Sequence, residues 1–206
     1  MIKHEIFDNY LNDSDFDQLV DAVMPSGHTS RTIHAAPQNV VPYYYVKETV
    51  NKDLGELEHL KKVTDIERLD PVNDVFFSHY FTRFTANSQY FPVLVPILAK
   101  INPLAFFRIQ GVMTLQQKER RRCLFHIDVD GDRKPKTGSM TTAIFYMNTT
   151  NGPTILEDGT EIDCRANRLA TFPYDTYHSG VMCTDQPYRI IINLNYFIDD
   201  KLEKNG

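Results

Sequence analysis

From residue 104 onward the sequence is a series of short strand-like segments broken by turn residues, with no helical stretch alternating between them. Residues 104–115, 141–148, 154–156, 160–162, 169–172, 177–182 and 189–197 are rich in Ile, Val, Phe, Tyr and Thr, which fit a pleated surface. Asp158-Gly159 lies between two of these segments and is a strong hairpin signal. Val129-Asp130-Gly131-Asp132-Arg133-Lys134-Pro135-Lys136 is a loop. Many short strands with no βαβ alternation allow a sandwich or barrel.

The same region holds His126-Ile127-Asp128, then His178 about fifty residues later, then Arg189 on the following strand segment. Strand side chains alternate between two faces, so i and i+2 point the same way. His126 and Asp128 can therefore enter one pocket side by side, and His178 arrives from a separate strand. Two imidazoles and one carboxylate on one side of a metal suit non-haem Fe(II) and leave positions open for a co-substrate and O2. His-x-Asp alone is weak, because the chain has seven histidines and many aspartates. Its order and spacing relative to His178 and Arg189 carry the argument.

The motifs His126-Ile127-Asp128, Ile144-Phe145-Tyr146-Met147-Asn148, Asn151-Gly152-Pro153-Thr154, Asn167-Arg168-Leu169, His178-Ser179-Gly180 and Arg189-Ile190-Ile191-Ile192-Asn193 resemble those of the Fe(II)/2-oxoglutarate-dependent dioxygenases. The likeness is to the prolyl-4-hydroxylase-like branch, in its small bacterial and phage form, over residues 104–199. It implies a double-stranded β-helix, a jelly-roll relative, with helices packed outside. It implies Fe(II) on His126, Asp128 and His178, with 2-oxoglutarate and O2 as co-substrates, and it admits ascorbate as an accessory reductant. The implied reaction is hydroxylation of an unactivated C–H bond, with release of succinate and CO2. Arg189 would bind the distal carboxylate of 2-oxoglutarate, its planar guanidinium matching a carboxylate in shape and charge. Tyr146 would add a hydroxyl donor, and Asn193, four residues past Arg189 on the same strand face, would line the pocket. The family's tyrosine on the strand before the metal motif is missing; Gln110, Met113 and Gln116 are the candidates to replace it. Two rivals stand beside this reading: a cupin-type dioxygenase that does not use 2-oxoglutarate, and a metal-free binding module that kept the barrel.

The first hundred residues read as supporting structure within a single domain spanning 1–206, with 1–103 as helices and lid and 104–199 as the catalytic core. Residues 2–7 suit a short strand. Ser14 is a candidate N-cap for a helix with Phe16, Leu19, Val20 and Val23 on one face, stopped by Pro25. The run Tyr43-Tyr44-Tyr45 falls in a long loop, where it serves as edge packing or as a lid over the site. Residues 53–70 are partly helical in pattern, and helices are expected over 72–83 and 87–100, the second kinked by Pro92 and Pro96. His79 belongs to the apolar stripe of the first and reads as a packed histidine. Cys123 is assigned to the core, on the face opposite His126.

Composition bounds the partners. A formal net charge of −5 argues against indiscriminate nucleic-acid binding. No run reaches the length of a membrane span, and the start lacks a signal-peptide h-region. Three cysteines without Cys-x-x-Cys suggest free thiols in a reducing, cytoplasmic setting. The partner is then a small-molecule or peptidyl substrate. The basic segments 118–122 and 133–136 flank the metal motif and could draw in an acidic one, and oligomeric state is left open.

Overall fold

The computed structural model describes residues 2–24, 41–46, 57–69, 76–83, 85–86, 88–129 and 140–198. In chain order the strands are β1 (Glu5–Phe7), β2 (Tyr44–Val46), β3 (Phe76–Arg83), β4 (Thr85–Ala86), β5 (Ala105–Leu115), β6 (Met140–Tyr146), β7 (Thr154–Leu156), β8 (Glu161–Ile162), β9 (Arg168–Pro173), β10 (His178–Gly180) and β11 (Tyr188–Phe197). Helix α1 (Asp13–Val23) follows β1, and α2 (Val95–Ile101) precedes β5. The larger sheet runs β1-β9-β6-β11-β5-β3-β2, with β4 on β3, and the smaller one runs β10-β7-β8. All pairings between these strands are antiparallel. Isolated bridges Arg122↔Val181 and His126↔His178 lay the 122–126 segment along the free side of β10. Two antiparallel sheets facing each other make the expected double-stranded β-helix.

Strand β11 shows how alternation divides the interior. Ile190, Ile192, Leu194 and Tyr196 join Leu19 and Val23 of α1, Ile97 and Leu98 of α2, Phe81 and Phe145 in the main core. Burying each such aliphatic or aromatic side chain is worth about 1.5–3 kcal/mol. The alternate residues Arg189, Ile191 and Asn193 line a cavity between the sheets, as Arg108, Gln110, Val112 and Thr114 do from β5. The helices thus cover the outer face of the large sheet, and the inner face is left to the site.

The N-terminal half departs from expectation in several places. Residues 76–83 form strand β3, not part of a helix, and 72–75 lie outside the described residues. Both faces of β3 carry apolar residues because both are covered, and the absence of polar alternation mimics a helical stripe. His79 is a packed histidine all the same: its ring lies 2.8 Å from the Pro42 carbonyl and 2.8 Å from Ser88 Oγ, against Phe81 and Tyr90. Burial pushes its pKa down. The expected helix over 87–100 is a 3-10 turn, Phe91–Leu94, followed by α2, with a proline in the first turn of each. Of 53–70, the described part holds the 3-10 turn Leu60–Lys62 and an isolated bridge from Arg68 to Arg122.

Helix α1 begins one turn-half earlier than expected. Asn12, not Ser14, is the N-cap, its side-chain oxygen accepting from the Asp15 backbone N–H. Tyr44 and Tyr45 are exposed on β2, an edge of the large sheet, while Tyr43 packs over Gly111, where a Cβ would lie 3.2 Å from the phenolic oxygen. Edge packing describes the three tyrosines; most of the surrounding loop lies outside the described residues. Among the described residues no helix is long and apolar enough to cross a membrane.

Candidate metal centre

The two histidines are held together first by main chain. His126 N–H donates to the His178 carbonyl at 3.0 Å, and His178 N–H returns to the His126 carbonyl at 2.9 Å. Each ring is then fixed through Nδ1, which lies 3.0 Å from the Leu124 carbonyl in His126 and 3.0 Å from the Thr176 carbonyl in His178. A carbonyl only accepts, so Nδ1 carries the proton and Nε2 keeps a free lone pair for a metal. Asp128 faces both: Oδ1 is 3.9 Å from His126 Nε2, and Oδ2 is 3.9 Å from His178 Nε2. The three ligating atoms all lie within 4.8 Å of one another. Neither His126 nor Asp128 belongs to a regular strand, but the i, i+2 relation holds through the isolated bridge. An N,N,O donor set on one side of a cavity fits a first-row divalent ion such as Fe(II).

The large sheet fixes Asp128. Arg108 Nη2 is 2.6 Å from Oδ1, and Asn193 Nδ2 donates to both oxygens at 3.1 and 3.0 Å. Asn195 Nδ2 donates to Oδ2 at 3.0 Å and to Thr142 Oγ1 at 3.0 Å, while its own Oδ1 accepts from Arg108 Nε at 3.0 Å. Burial by itself raises the pKa of Asp128. The positive charge of Arg108, the electrostatic influence of the His178 and His126 imidazoles, and the Asn195 hydrogen bond more than offset it, so the carboxyl stays far below its usual range. Burial pushes His178 down to about 4 despite the opposing charge of Asp128, which keeps its imidazole neutral and able to ligate at pH 7. Asn193 therefore lines the cavity as expected, with its amide N–H groups directed to the Asp128 carboxylate. Arg108 and Asn195 were missed. Asn195 shares the strand parity of Arg189 and Asn193, a usable signal; Arg108 offered none.

At the other end of the same cavity, of about 400 Å³, lies Arg189. It is 4% exposed. Nε donates to the Gly152 carbonyl at 2.8 Å and Nη2 to Thr154 Oγ1 at 2.9 Å, with the guanidinium 5.6 Å from the Tyr146 ring centroid. Among the described residues no carboxylate pairs with it. Thr114, its cross-strand neighbour on β5, has a buried hydroxyl without a partner. Gly152 must be glycine, because a Cβ there would lie 2.4 Å from the Val181 carbonyl oxygen. Tyr146 is fully buried, its pKa pushed up to about 12 by burial, and its hydroxyl donates to Thr154 Oγ1 at 2.8 Å. Thr154, not Tyr146, reaches the cavity. With both lone pairs engaged by Tyr146 and Arg189, the Thr154 hydroxyl has its own proton left to donate.

Of the three candidates on β5 and beyond, Gln110 lines the cavity and donates from Nε2 to Ser78 Oγ at 2.6 Å. Met113 packs against the helix-side core, and Gln116 is exposed and bonded to the Thr184 carbonyl. Cys123 also lines the cavity instead of entering the core, because 122–126 is not a regular strand and parity fails there. The 118–122 segment is not an open basic patch. Arg121 pairs with Glu67 and Glu119, and Arg122 is buried against the Ile66 and Cys123 carbonyls. Segment 133–136 lies outside the described residues. A larger open cleft, about 930 Å³, is lined by β1, β9 and the end of α2 and contains none of the triad.

No protein-family model matches the sequence, and no curated protein matches it. Solved structures do. A viral collagen prolyl hydroxylase from Paramecium bursaria Chlorella virus-1, in its 2OG complex, aligns over 96% of both chains at 14% identity and a TM-score of 0.55. A Trichoplax adhaerens prolyl hydroxylase, bound to a hypoxia-inducible-factor peptide, aligns over 98% of this chain and 87% of its own, at 14% identity and a TM-score of 0.52. The chain has the fold of the Fe(II)/2-oxoglutarate oxygenases. SnoN, a non-haem α-ketoglutarate-dependent epimerase of nogalamycin biosynthesis, aligns over 96% of this chain and 78% of its own, at 11% identity and a TM-score of 0.57. Hydroxylases and an epimerase share this oxygenase fold, so the fold leaves the choice of reaction to the site.

Proposed function

We propose that this chain is an Fe(II)- and 2-oxoglutarate-dependent oxygenase that hydroxylates a C–H bond of its substrate. The observation that carries the reading is Arg189: a buried cation without a carboxylate partner among the described residues, at the end of the cavity that holds three metal-ligating atoms. A buried unpaired charge is costly, and a dicarboxylic co-substrate supplies its counter-ion. Nε is already committed to Gly152, so the Nη1–Nη2 edge is the one that meets the distal carboxylate, with the Thr154 proton beside it. Tyr146 acts one step back, orienting Thr154.

His126, Asp128 and His178 would hold the iron, which when bound supplies O2 activation coupled to oxidative decarboxylation of 2-oxoglutarate. Asp128 fills the position that halogenating relatives leave for chloride, which favours hydroxylation. A cupin-type enzyme that ignores 2-oxoglutarate gives no role to Arg189, and a metal-free binding module gives none to the two free Nε2 lone pairs.

The test is an anaerobic titration of the Fe(II) protein with 2-oxoglutarate, read by the metal-to-ligand absorption band. Losing one partner of a buried charge pair costs about 2–5 kcal/mol, or roughly thirtyfold to a few thousandfold in affinity. Arg189→Ala should weaken 2-oxoglutarate by that factor and keep its iron. Equal affinity in the variant and the parent would hand the site to the cupin reading.

A further inference from the structure

We infer that the primary substrate is a small molecule bearing a carboxylate, and that Arg108 is the residue that docks it. This rests on the oxygenase reading above and names the substrate class for the same site. Arg108 and Arg189 both line the cavity, from opposite ends. Arg189 lies across from Thr114 and Asn195 from Arg108 in the β11–β5 register, six residues apart on β5, or roughly 20 Å of strand. The metal-binding atoms sit near the Arg108 end. A five-carbon diacid anchored at Arg189 and reaching the metal is used up before it reaches Arg108.

Arg108 is positioned like a recognition group. Its Nε donates to Asn195 Oδ1, which sets the plane of the guanidinium, and its Nη2 is ion-paired with Asp128 Oδ1 at 2.6 Å without a directed hydrogen bond. Nη1 has no acceptor among the described residues, and the side chain is 18% exposed. Charge points the same way. A divalent metal would draw on the single negative charge of Asp128, and a dianionic co-substrate would be matched against the metal and Arg189. The fixed charges of the loaded cavity then leave one positive charge unbalanced, and it stands at Arg108, beside the metal.

The surrounding wall sets the rest of the substrate. Val46, Phe76 and Tyr80 line the cavity from β2 and β3, and Tyr80 is across from Gln110. They offer an apolar and aromatic surface for a carbon skeleton. Gln110, with Nε2 donating to Ser78, has its carbonyl oxygen left to accept one hydrogen bond. The cavity of about 400 Å³ is near the lower limit for ligand pockets, and co-substrate and substrate must share it. An acid of modest size fits this set of groups.

The experiment compares acids with their carboxamides on the protein loaded anaerobically with Fe(II) and saturating 2-oxoglutarate. The probes are butanoate and butanamide, 3-phenylpropanoate and 3-phenylpropanamide, and hexanoate and hexanamide. Binding is read by calorimetry and by the change each probe causes in the metal-to-ligand band. The acid should bind at least tenfold more tightly than its amide in one or more pairs. The preference should collapse in Arg108→Gln and survive in Arg108→Lys, which keeps the charge. Parity of acid and amide in every pair, no acid binding at concentrations up to tens of millimolar, or a preference that persists in Arg108→Gln overturns the inference. The two readings fail separately: absence of the band itself in the parent protein refutes the oxygenase reading, whereas a normal band with no acid preference refutes only the role of Arg108.

Discussion

Thr154 joins what were expected to be independent contributions of Tyr146 and Arg189. Its oxygen accepts from both, at 2.8 and 2.9 Å. Thr154→Val keeps the volume and removes this acceptor, leaving a buried phenol without a partner, at a cost of about 1–3 kcal/mol. Denaturant melts should show a loss of that size. The 2-oxoglutarate titration should weaken by about tenfold, the value of one hydrogen bond to a charged group. Tyr146→Phe should be milder in both measurements, since it deletes a donor and leaves Thr154 in place. The metal ligands and Arg189 were legible because their chemistry shows in residue type and order. Arg108 was not, because an arginine on a strand carries no mark of the carboxylate it will meet from a distant loop. Cys123 misled for a related reason: strand parity was applied to a segment that makes only isolated bridges.

At the scale of elements, strands of the second half were legible because turns punctuate them and one face is consistently apolar. Strand β3 was not, since its two buried faces erase the period that distinguishes strand from helix. The N-terminal strand β1 is short, with Ile6 and Phe7 about two-fifths exposed, so its attachment depends on more than burial. The Asp8 carboxylate takes two hydrogen bonds from Arg168, at 2.6 and 2.9 Å, tying the end of β1 to the start of β9. The hydrogen bond from Arg168 holds the pKa of Asp8 below its usual value. A folded-state pKa below the unfolded one, about 3.9, stabilises the fold above that pH. The contribution disappears as pH falls through the depressed folded value. Because Asp8 is half exposed, it should be worth under about 1 kcal/mol. Asp8→Asn should melt below the parent at pH 7, and the two melting temperatures should converge as pH falls through that depressed value. A gap that stays constant with pH would show that the ion pair is not its source.

For the whole molecule, metal binding and folding should be linked, because the three ligands come together only across the two assembled sheets. An ion at a hundred times its dissociation constant adds about 2.7 kcal/mol. For a domain of this size that is a rise of about 5–10 °C in melting temperature. Anaerobic Fe(II) should produce it in the parent protein, and His178→Ala should melt at the same temperature with or without the metal. The fold class was legible at this scale because many short strands follow one another without βαβ alternation. The order of strands was not, and it has a consequence for synthesis. β11 is the most C-terminal strand of the described residues, yet it lies in the middle of the large sheet, between β6 and β5. While the chain emerges from the ribosome, β5 and β6 each present an edge that, among the described residues, only β11 closes in the fold. Open edges of this kind invite pairing with the wrong chain. The nascent protein is thus most exposed to aggregation just before residues 188–197 appear, and the strand that ends the hazard is the one that delivers Arg189, Asn193 and Asn195 to the site.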